Sequence, residues 1–257
     1  MEKEVKKFNK KAQVTIFIII AIMIVVLVIL VYIFYPKLKS SLGFEEKNPS
    51  EFMKDCIEDK LMEATEKLSL QGGSIDPEHY IIYNNEKIEY LCYTGEYYKK
   101  CIMQQPMLKK HIEKEIKNEI RGEVKTCFEQ MEKGYEKQGY DVNLNPGDFE
   151  IELLPKRIAV NFNNSLNLKK ADSKNYDSIS VGLNNNLYEL ISIANSILNM
   201  EAHYGDSETT IYMNYYHDLK VEKNKQSEGS TIYILTDRNN QNKFQFASRS
   251  VAWPPGI

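Results

Sequence analysis

The chain has 257 residues, a formal net charge of -3 at neutral pH and 42% hydrophobic residues. Its length is sufficient for one or two domains that bury a hydrophobic core. The five lysines of residues 1–35 all precede residue 12, and the rest of the chain is acidic overall, so the charge distribution excludes the basic footprint that nucleic-acid binding requires.

An apolar run covers residues 14–35, which contain no charged residue, glycine or proline. As a helix with a rise of about 1.5 Å per residue, this run would span about 33 Å, enough to cross the hydrocarbon core of a bilayer. We therefore predict a transmembrane helix over residues 13–36. The preceding lysines place the N-terminus in the cytoplasm. The predicted localisation is the cell membrane, with a single pass and an extracytoplasmic C-terminal domain.

The residues before the apolar run indicate whether it is retained. A cleaved secretory signal has an apolar region of about 7–15 residues and then an A-x-A-like site, and neither is present. Residues 10–15 instead resemble the class III signal peptide of archaeal type IV pilin-like proteins; the matching residues are Lys10, Lys11, Ala12, Gln13 and Thr15. The resemblance implies that a prepilin peptidase cuts before Gln13 and leaves residues 1–12 as a cytoplasmic basic leader. A plain signal anchor that matches by chance is the alternative.

Phe17 departs from the pattern of that family. Members that build filaments usually carry Glu at the fifth mature position, which is Phe17 here. A charge at the bilayer centre costs about 2.5–3.5 kcal/mol on insertion scales, so a carboxylate is kept there only for a partner. Its absence predicts a solitary anchor or a minor pilin-like component, not a subunit that polymerises alone.

The first part of the ectodomain, residues 50–139, reads as helix, strands and helix. In the first helix apolar residues recur at three- and four-residue steps, Ser50 is the expected N-cap, and Gln71-Gly72-Gly73 ends it. In the second helix the apolar spacing is nearly unbroken at i+4. The predicted elements are a linker over 37–49, a helix over 51–70, strands within 81–103, and a helix that follows Pro106 and ends near residue 137.

The second part, residues 140–257, contains alternating strands and one apolar helix. Two period-2 segments flank Pro155-Lys156-Arg157 and predict a hairpin with one buried face. Residues 209–219 are compatible with either a short helix or a strand. The other predicted elements are strands at 165–169 and 178–181, a helix over 184–203, and a closing hairpin over 230–250. The whole order predicts an α+β fold of about three helices and antiparallel strands.

The first part also resembles a group of uncharacterised archaeal membrane-anchored proteins. The residues that carry this resemblance are Cys56-Ile57-Glu58 in the first helix and Gln71-Gly72-Gly73 at its end. The resemblance covers residues 10–137 well and the rest loosely. It implies topology and location, and it implies no activity.

The four cysteines all follow the apolar run, and an even count in an exported domain favours disulfides. Cys92 and Cys101 bracket the turn at Thr94-Gly95 and can face each other across a hairpin. Cys127 lies on the apolar stripe of the second helix and Cys56 adjoins that of the first, so helices that share a core can bring them together. We predict Cys56–Cys127 and Cys92–Cys101. Free thiols are an alternative, whereas a zinc site is disfavoured because no C-x-x-C spacing occurs.

No familiar catalytic motif is present: the chain lacks G-x-S-x-G, H-E-x-x-H, a P-loop and a dinucleotide fingerprint. We predict no enzyme, no catalytic residue, no cofactor and no metal site. A metal site would require an unusual group, and these residues are better explained as surface polar groups: His203, Asp206, Glu208, His217 and Asp218.

Two further features bear on recognition. Asn163-Asn164-Ser165 is an N-x-S sequon, so Asn163 is a possible glycosylation site outside the cell. The 17 tyrosines are consistent with half-solvated sheet faces or with an aromatic binding surface. Trp253, the only tryptophan, lies in an extended tail that we expect to be docked or frayed.

The leading functional hypothesis is a pilin-like cell-envelope protein whose ectodomain serves structure or interaction. Its predicted partners are the lipid bilayer, a prepilin peptidase and envelope proteins, with no small-molecule substrate and no nucleic acid. The alternative is an anchored binding module for a peptide, a glycan or a secretion partner, and an exported enzyme is the third hypothesis. A domain without a deep pocket favours the first, an exposed aromatic groove the second, and two close carboxylates with perturbed pKa values in a cleft the third.

Overall fold

The computed structural model describes residues 21–26 and 48–254. Residues 21–26 are helical and exposed. Across the described residues, no helix has both the length and the apolarity needed to cross a membrane. The transmembrane helix predicted over residues 13–36 is therefore not supported, because none of the described helices combines the length and the apolarity that a bilayer core demands. The remainder of that prediction, with the processing residues Lys10, Lys11, Ala12 and Gln13, lies outside the described residues.

Residues 48–257 cluster as one unit and residues 1–47 as another. The helices of the larger unit are α1 (Pro49–Leu70), α2 (Leu108–Lys137), α3 (Leu187–Tyr204) and α4 (Thr210–Tyr215). Its strands are β1 (Tyr80–Tyr83), β2 (Glu86–Tyr93), β3 (Ile102–Met103), β4 (Asp141–Asn145), β5 (Phe149–Leu154), β6 (Arg157–Phe162), β7 (Ser165–Lys169), β8 (Ser173–Tyr176), β9 (Ile179–Asn184), β10 (Leu219–Lys225), β11 (Ser230–Asp237) and β12 (Lys243–Arg249). The α+β class predicted for this part of the chain agrees with this element order.

The largest sheet joins the beginning and the end of the domain. Its strands follow the order β1-β2-β12-β11-β10, with β3 paired to β2. Every pair is antiparallel except β2 and β12, which run parallel with Ala247 opposite Tyr90. One face of β11 and β12 carries Tyr233 and Phe246, whose rings stack 5.2 Å apart in the main core. The opposite face carries a second, smaller apolar cluster.

Two three-stranded antiparallel sheets complete the domain, in the orders β5-β6-β9 and β4-β7-β8. Alternate residues of β5, β6 and β9 are buried, as the period-2 pattern of the sequence predicts. Helices α1 and α2 pack against the buried face of this sheet through β9 and β5. The hairpin predicted around Pro155-Lys156-Arg157 is confirmed as β5–β6.

Helices α1 and α2 lie against each other and supply much of the core. Helix α1 begins after Asn48, whose side chain accepts a hydrogen bond from the Ser50 amide at 3.1 Å. Asn48, and not Ser50 as predicted, is therefore the N-cap, because Pro49 occupies the first helical position, where a missing N–H costs nothing. Helix α2 buries the predicted i+4 stripe, and Gly139, with a φ of 83°, follows its end.

Both predicted disulfides are present. Cys56–Cys127 ties α1 to α2, with the Cα atoms 5.9 Å apart. Cys92–Cys101 ties β2 to the segment before β3, with the Cα atoms 5.3 Å apart. Within the described residues, no cysteine is free.

Two local predictions need correction, and one that was left open is resolved. The segment 97–103, predicted as a strand, pairs only at Ile102–Met103. Residues 209–219 form the short helix α4 and then enter β10, which explains their mixed pattern. Helix α4 adds a fourth helix to the three predicted. The parallel pairing of β2 with β12 was not predicted, because it joins segments about 150 residues apart, beyond the reach of local patterns.

Candidate functional site

A pocket of about 410 Å³ opens where the end of α3, the β10–β11 turn and the C-terminal segment meet. It is lined from within residues 204–206, 225–231 and 250–253. We call it the aromatic pocket, because Tyr204 and Trp253 line it and leave 77% and 61% of their surfaces exposed. Both side chains therefore present apolar ring surface to solvent at the pocket.

Two glycines make room for the wall of this pocket. Gly205 ends α3 in the left-handed conformation with a φ of 84°, and Gly229 turns the chain between β10 and β11 with a φ of 93°. A Cβ atom on Gly205 would lie 2.2 Å from Val251 Cγ2, and one on Gly229 would lie 2.4 Å from Ala252 Cβ. The C-terminal segment can pack this closely only because both positions lack a side chain.

The C-terminal segment is docked, one of the two outcomes expected for the tail. The Val251 amide donates to the Lys99 carbonyl at 2.7 Å, and the Tyr98 amide donates to the Ala252 carbonyl at 2.9 Å. Ala252 is buried, and the Trp253 ring lies 5.7 Å from the Tyr98 ring in an edge-on arrangement. These contacts hold the Trp253 backbone while its indole remains exposed.

The polar lining of the aromatic pocket centres on Asp206. Its Oδ1 lies 2.6 Å from Lys223 Nζ and 3.6 Å from Lys225 Nζ. Burial alone raises the pKa of this carboxyl, but the hydrogen bond from Lys223 and the charges of both lysines outweigh it and hold the pKa below its ordinary value. Asp206 is thus an ionised acceptor at neutral pH, and Gln226 and Ser227 also line the pocket.

A buried polar network lies next to the aromatic pocket and includes Ser250 of its wall. The Glu201 carboxyl, 2% exposed, accepts hydrogen bonds from the Tyr233 hydroxyl and from Ser248 Oγ, the latter at 3.1 Å. Ser250 Oγ donates to the Glu201 carbonyl at 3.1 Å and accepts from the Cys101 amide at 3.0 Å. Burial raises the pKa of Glu201 and outweighs these hydrogen bonds. The network links the end of α3 to the Cys92–Cys101 disulfide and to the pocket wall at Ser250.

A second buried cluster contains serine, histidine and acid. Ser74 Oγ donates to Glu89 Oε2 at 2.6 Å and lies 2.8 Å from His111 Nε2. Burial raises the pKa of Glu89 to about 6, and burial lowers the pKa of His111. The serine stands between the acid and the histidine, whereas a nucleophilic triad requires the acid to orient the histidine. Ser74 is also only 6% exposed, so we assign this cluster to the interior of the fold.

The sequence-predicted site residues have different outcomes. Asn163 is exposed in the loop between β6 and β7, where its backbone amide donates to the Asp148 carbonyl at 2.9 Å. Of the residues weighed as metal ligands, Asp206 bonds Lys223, and Glu208 accepts from the backbone amide of Thr210 at 2.9 Å. The one group of three metal-type donors found within residues 21–26 and 48–254 is Cys56, Glu123 and Cys127, and its two cysteines form a disulfide.

Sequence reasoning missed the aromatic pocket because three distant segments form it. Trp253 is the only tryptophan of the sequence, but no periodicity connects it with Tyr204 or with the turn at residues 225–229. The signals available were two glycines, each at the end of a regular element, and a tryptophan outside any element. No family model, curated protein or solved structure matches the chain.

Proposed function

We propose that residues 48–254 form an extracytoplasmic binding module that holds an oligosaccharide in the aromatic pocket. The observation that carries the proposal is the pair of exposed rings, Tyr204 and Trp253, at a pocket of about 410 Å³. Of the hypotheses drawn from the sequence, this corresponds to the anchored binding module without its membrane helix. The resemblance to pilin-like proteins rests on residues 10–15 and enters no step of the proposal.

The location is supported by the two disulfides. Disulfides persist in oxidising environments and are rare in a reducing cytosol. The chain has four cysteines, and all four are paired. An extracytoplasmic domain also meets the glycans of a cell surface, the class of ligand that we propose.

The ligand class follows from the chemistry of the lining. The C–H face of a sugar ring is apolar and carries slight positive charge, which complements the negative face of an aromatic ring. Sugar hydroxyls donate and accept, and the pocket offers the ionised Asp206, the hydroxyl of Ser227 and the ammonium group of Lys225. This combination of ring faces and polar groups suits a sugar better than a wholly apolar ligand.

The lining also supports binding without hydrolysis. Most glycoside hydrolases use two carboxyl groups on either side of the scissile bond. Asp206 is the only carboxylate among the residues that line the aromatic pocket. Its pKa is held low by lysines, which makes it a poor proton donor at neutral pH.

Trp253 provides a direct test, because its fluorescence is the only tryptophan signal of the chain. Titrating the full-length protein with a panel of oligosaccharides should shift this emission for at least one glycan class. Trp253→Ala and Tyr204→Ala should each weaken binding up to about tenfold, as measured by calorimetry, since loss of one stacking ring costs up to about 1.4 kcal/mol.

Tyr215→Ala is the matched control, because Tyr215 is 76% exposed but does not line the pocket. It should bind as the wild type does. Absence of binding across the panel would contradict the proposal, as would a glycan whose affinity is unchanged in both pocket variants. Selective binding of extended peptides at Trp253 would replace the glycan with a peptide ligand.

A further inference from the structure

A second cavity of about 410 Å³ lies where the C-terminal half of α1, the N-terminus of α3 and the β11–β12 turn meet. We call it the amide cleft, because its lining includes Asn185, Asn240, Gln241 and Asn242. It shares no lining residue with the aromatic pocket. A ligand in the amide cleft is therefore independent of the proposed oligosaccharide.

The rim of the amide cleft is fixed by its own hydrogen bonds. Asn186 Nδ2 donates to Asp237 Oδ2 at 2.6 Å, and Asn242 Nδ2 donates to Asn186 Oδ1 at 2.7 Å. The backbone amide of Asn242 donates to Asn240 Oδ1 at 2.9 Å. These bonds tie the β11–β12 turn to the start of α3. A rim held in this way loses little conformational entropy when a ligand binds.

Asn185 presents a buried donor that lacks a strong acceptor. Its Oδ1 accepts from the backbone amide of Leu187, the first residue of α3, at 2.8 Å. Its Nδ2 has one contact within the described residues, the thioether of Met62 at 4.0 Å, and a thioether is a weak acceptor. Because Asn185 is only 9% exposed, this amide gains most from an acceptor oxygen that enters the cleft.

Opposite charges stand on different elements around the cleft. Lys243 lies at the β11–β12 turn, and the N-terminus of α3 adds partial positive charge from its free amides. Glu66 lies on α1. Within residues 48–254 neither Glu66 nor Lys243 forms an ion pair, so both charges are available to a ligand. The charged groups are therefore matched to a ligand that carries one charge of each sign.

The remaining lining consists of four apolar residues, Met62, Leu70, Leu187 and Leu190, and two hydroxyl residues, Thr65 and Ser69. We propose that the amide cleft binds a small zwitterion with an aliphatic side chain, either an α-amino acid or a short peptide. The ligand carboxylate accepts from Asn185 Nδ2 and pairs with Lys243. The ligand ammonium pairs with Glu66, and the aliphatic side chain contacts the leucines.

Calorimetry on the full-length chain tests this with three related probes: leucine, N-acetyl-leucine and leucinamide. Leucine should bind best, and losing either ligand charge should weaken binding about tenfold. The Glu66→Gln variant should bind N-acetyl-leucine and leucine with equal affinity. The Lys243→Gln variant should bind leucinamide and leucine with equal affinity. Equal affinity for all three probes in the wild type would overturn the proposal.

Asn185→Asp is the most specific variant. It keeps an oxygen that accepts from the Leu187 backbone amide, so the start of α3 retains this hydrogen bond. It replaces the Nδ2 donor with a second acceptor that repels the ligand carboxylate, and leucine binding should fall below detection. Asn199→Asp introduces the same charge on an exposed part of α3 and should bind leucine normally.

Two outcomes separate this site from the aromatic pocket. Trp253→Ala should leave leucine binding unchanged, and Asn185→Asp should leave oligosaccharide binding unchanged. If Asn185→Asp abolishes oligosaccharide binding and leucine does not bind, the amide cleft is a glycan site and the zwitterion proposal fails.

Discussion

The two disulfides join different kinds of structure and have different surroundings. Cys56–Cys127 ties two helices, closes a long loop with a sequence separation of 71, and leaves Cys56 half-buried. Cys92–Cys101 closes a short loop with a separation of 9, and its cysteines are 0% and 4% exposed. The first constrains the chain over a long distance at an accessible seam, and the second fixes a buried junction. Both bonds therefore limit the unfolded chain, Cys56–Cys127 the more strongly, and Cys92–Cys101 lies beside the wall of the aromatic pocket.

The largest expected effect comes from removing each disulfide as an alanine pair. Chain entropy assigns about 4.4 kcal/mol to the loop closed by Cys56–Cys127 and about 2.7 kcal/mol to the loop closed by Cys92–Cys101. The Cys56→Ala/Cys127→Ala variant should therefore lose more free energy of unfolding in urea titrations. The reverse order would show that packing around the buried Cys92–Cys101 pair outweighs loop entropy.

The second expected effect is on reduction rates. A dithiol reductant can reach the half-buried Cys56 sulfur in the native state, whereas Cys92–Cys101 must first be exposed by partial unfolding. An opening free energy of a few kcal/mol slows the buried bond on the order of 100-fold. Timed alkylation and peptide mapping under native conditions should find Cys56 and Cys127 labelled first. Simultaneous labelling of all four cysteines would mean that the domain opens globally.

A third expected effect is a pH dependence of stability that arises in β2, the strand of Cys92. This strand also buries the ionisable Glu89. Its pKa rises from 4.5 to about 6 in the folded state, so folding favours the protonated form. This contribution is fully present below about pH 4.5 and is lost as the pH rises through 6. The free energy of unfolding of Glu89→Gln, relative to that of the wild type, should therefore rise by about 2 kcal/mol from pH 4 to pH 7.5. A pH-independent difference in thermal unfolding would contradict the shift.

The smallest expected effect is at the helix seam itself. Lys60 Nζ on α1 lies 3.1 Å from Glu119 Oε1 on α2, and both side chains are about one-third exposed. Because solvent screens such pairs, Lys60→Met should cost less than about 1 kcal/mol in urea unfolding. The same substitution made in the Cys56→Ala/Cys127→Ala background gives the control. A larger cost there would mean that the ion pair, and not only the disulfide, aligns the two helices.

Sequence patterns predicted the parts of the fold whose signals are local. The i+4 stripe of α2 gave its length, and the positions of Cys56 and Cys127 on two apolar stripes gave their pairing. Strand β8, with the polar sequence Ser173–Tyr176, offered no periodic signal because it lies at a sheet edge. The transmembrane prediction rested on the length and apolarity of residues 14–35 and on the lysines before them, and it is not supported within the described residues.

The candidate sites were harder to predict, for a physical reason. The asparagines near residues 185 and 240 are typical of separate turns, yet the hydrogen bonds of Asn186 with Asp237 and with Asn242 place them in one cleft. Turn chemistry and ligand chemistry use the same amide groups, and only their spatial arrangement distinguishes the two. The aromatic pocket likewise depends on contacts among three segments that no local pattern connects.

The position of β12 has a consequence for how the protein is made. This strand lies in the middle of the largest sheet, between β2 and β11, although it comes last in sequence among the strands that the structure describes. Synthesis proceeds from the N-terminus, so β2 leaves the ribosome about 150 residues before its neighbour exists. Until then β1 and β2 lack their central partner, and a chain that ends early has a gap through its largest sheet. Strand β12 therefore closes the largest sheet, and a chain that stops before it leaves the facing edges of β2 and β11 unpaired and open to aggregation.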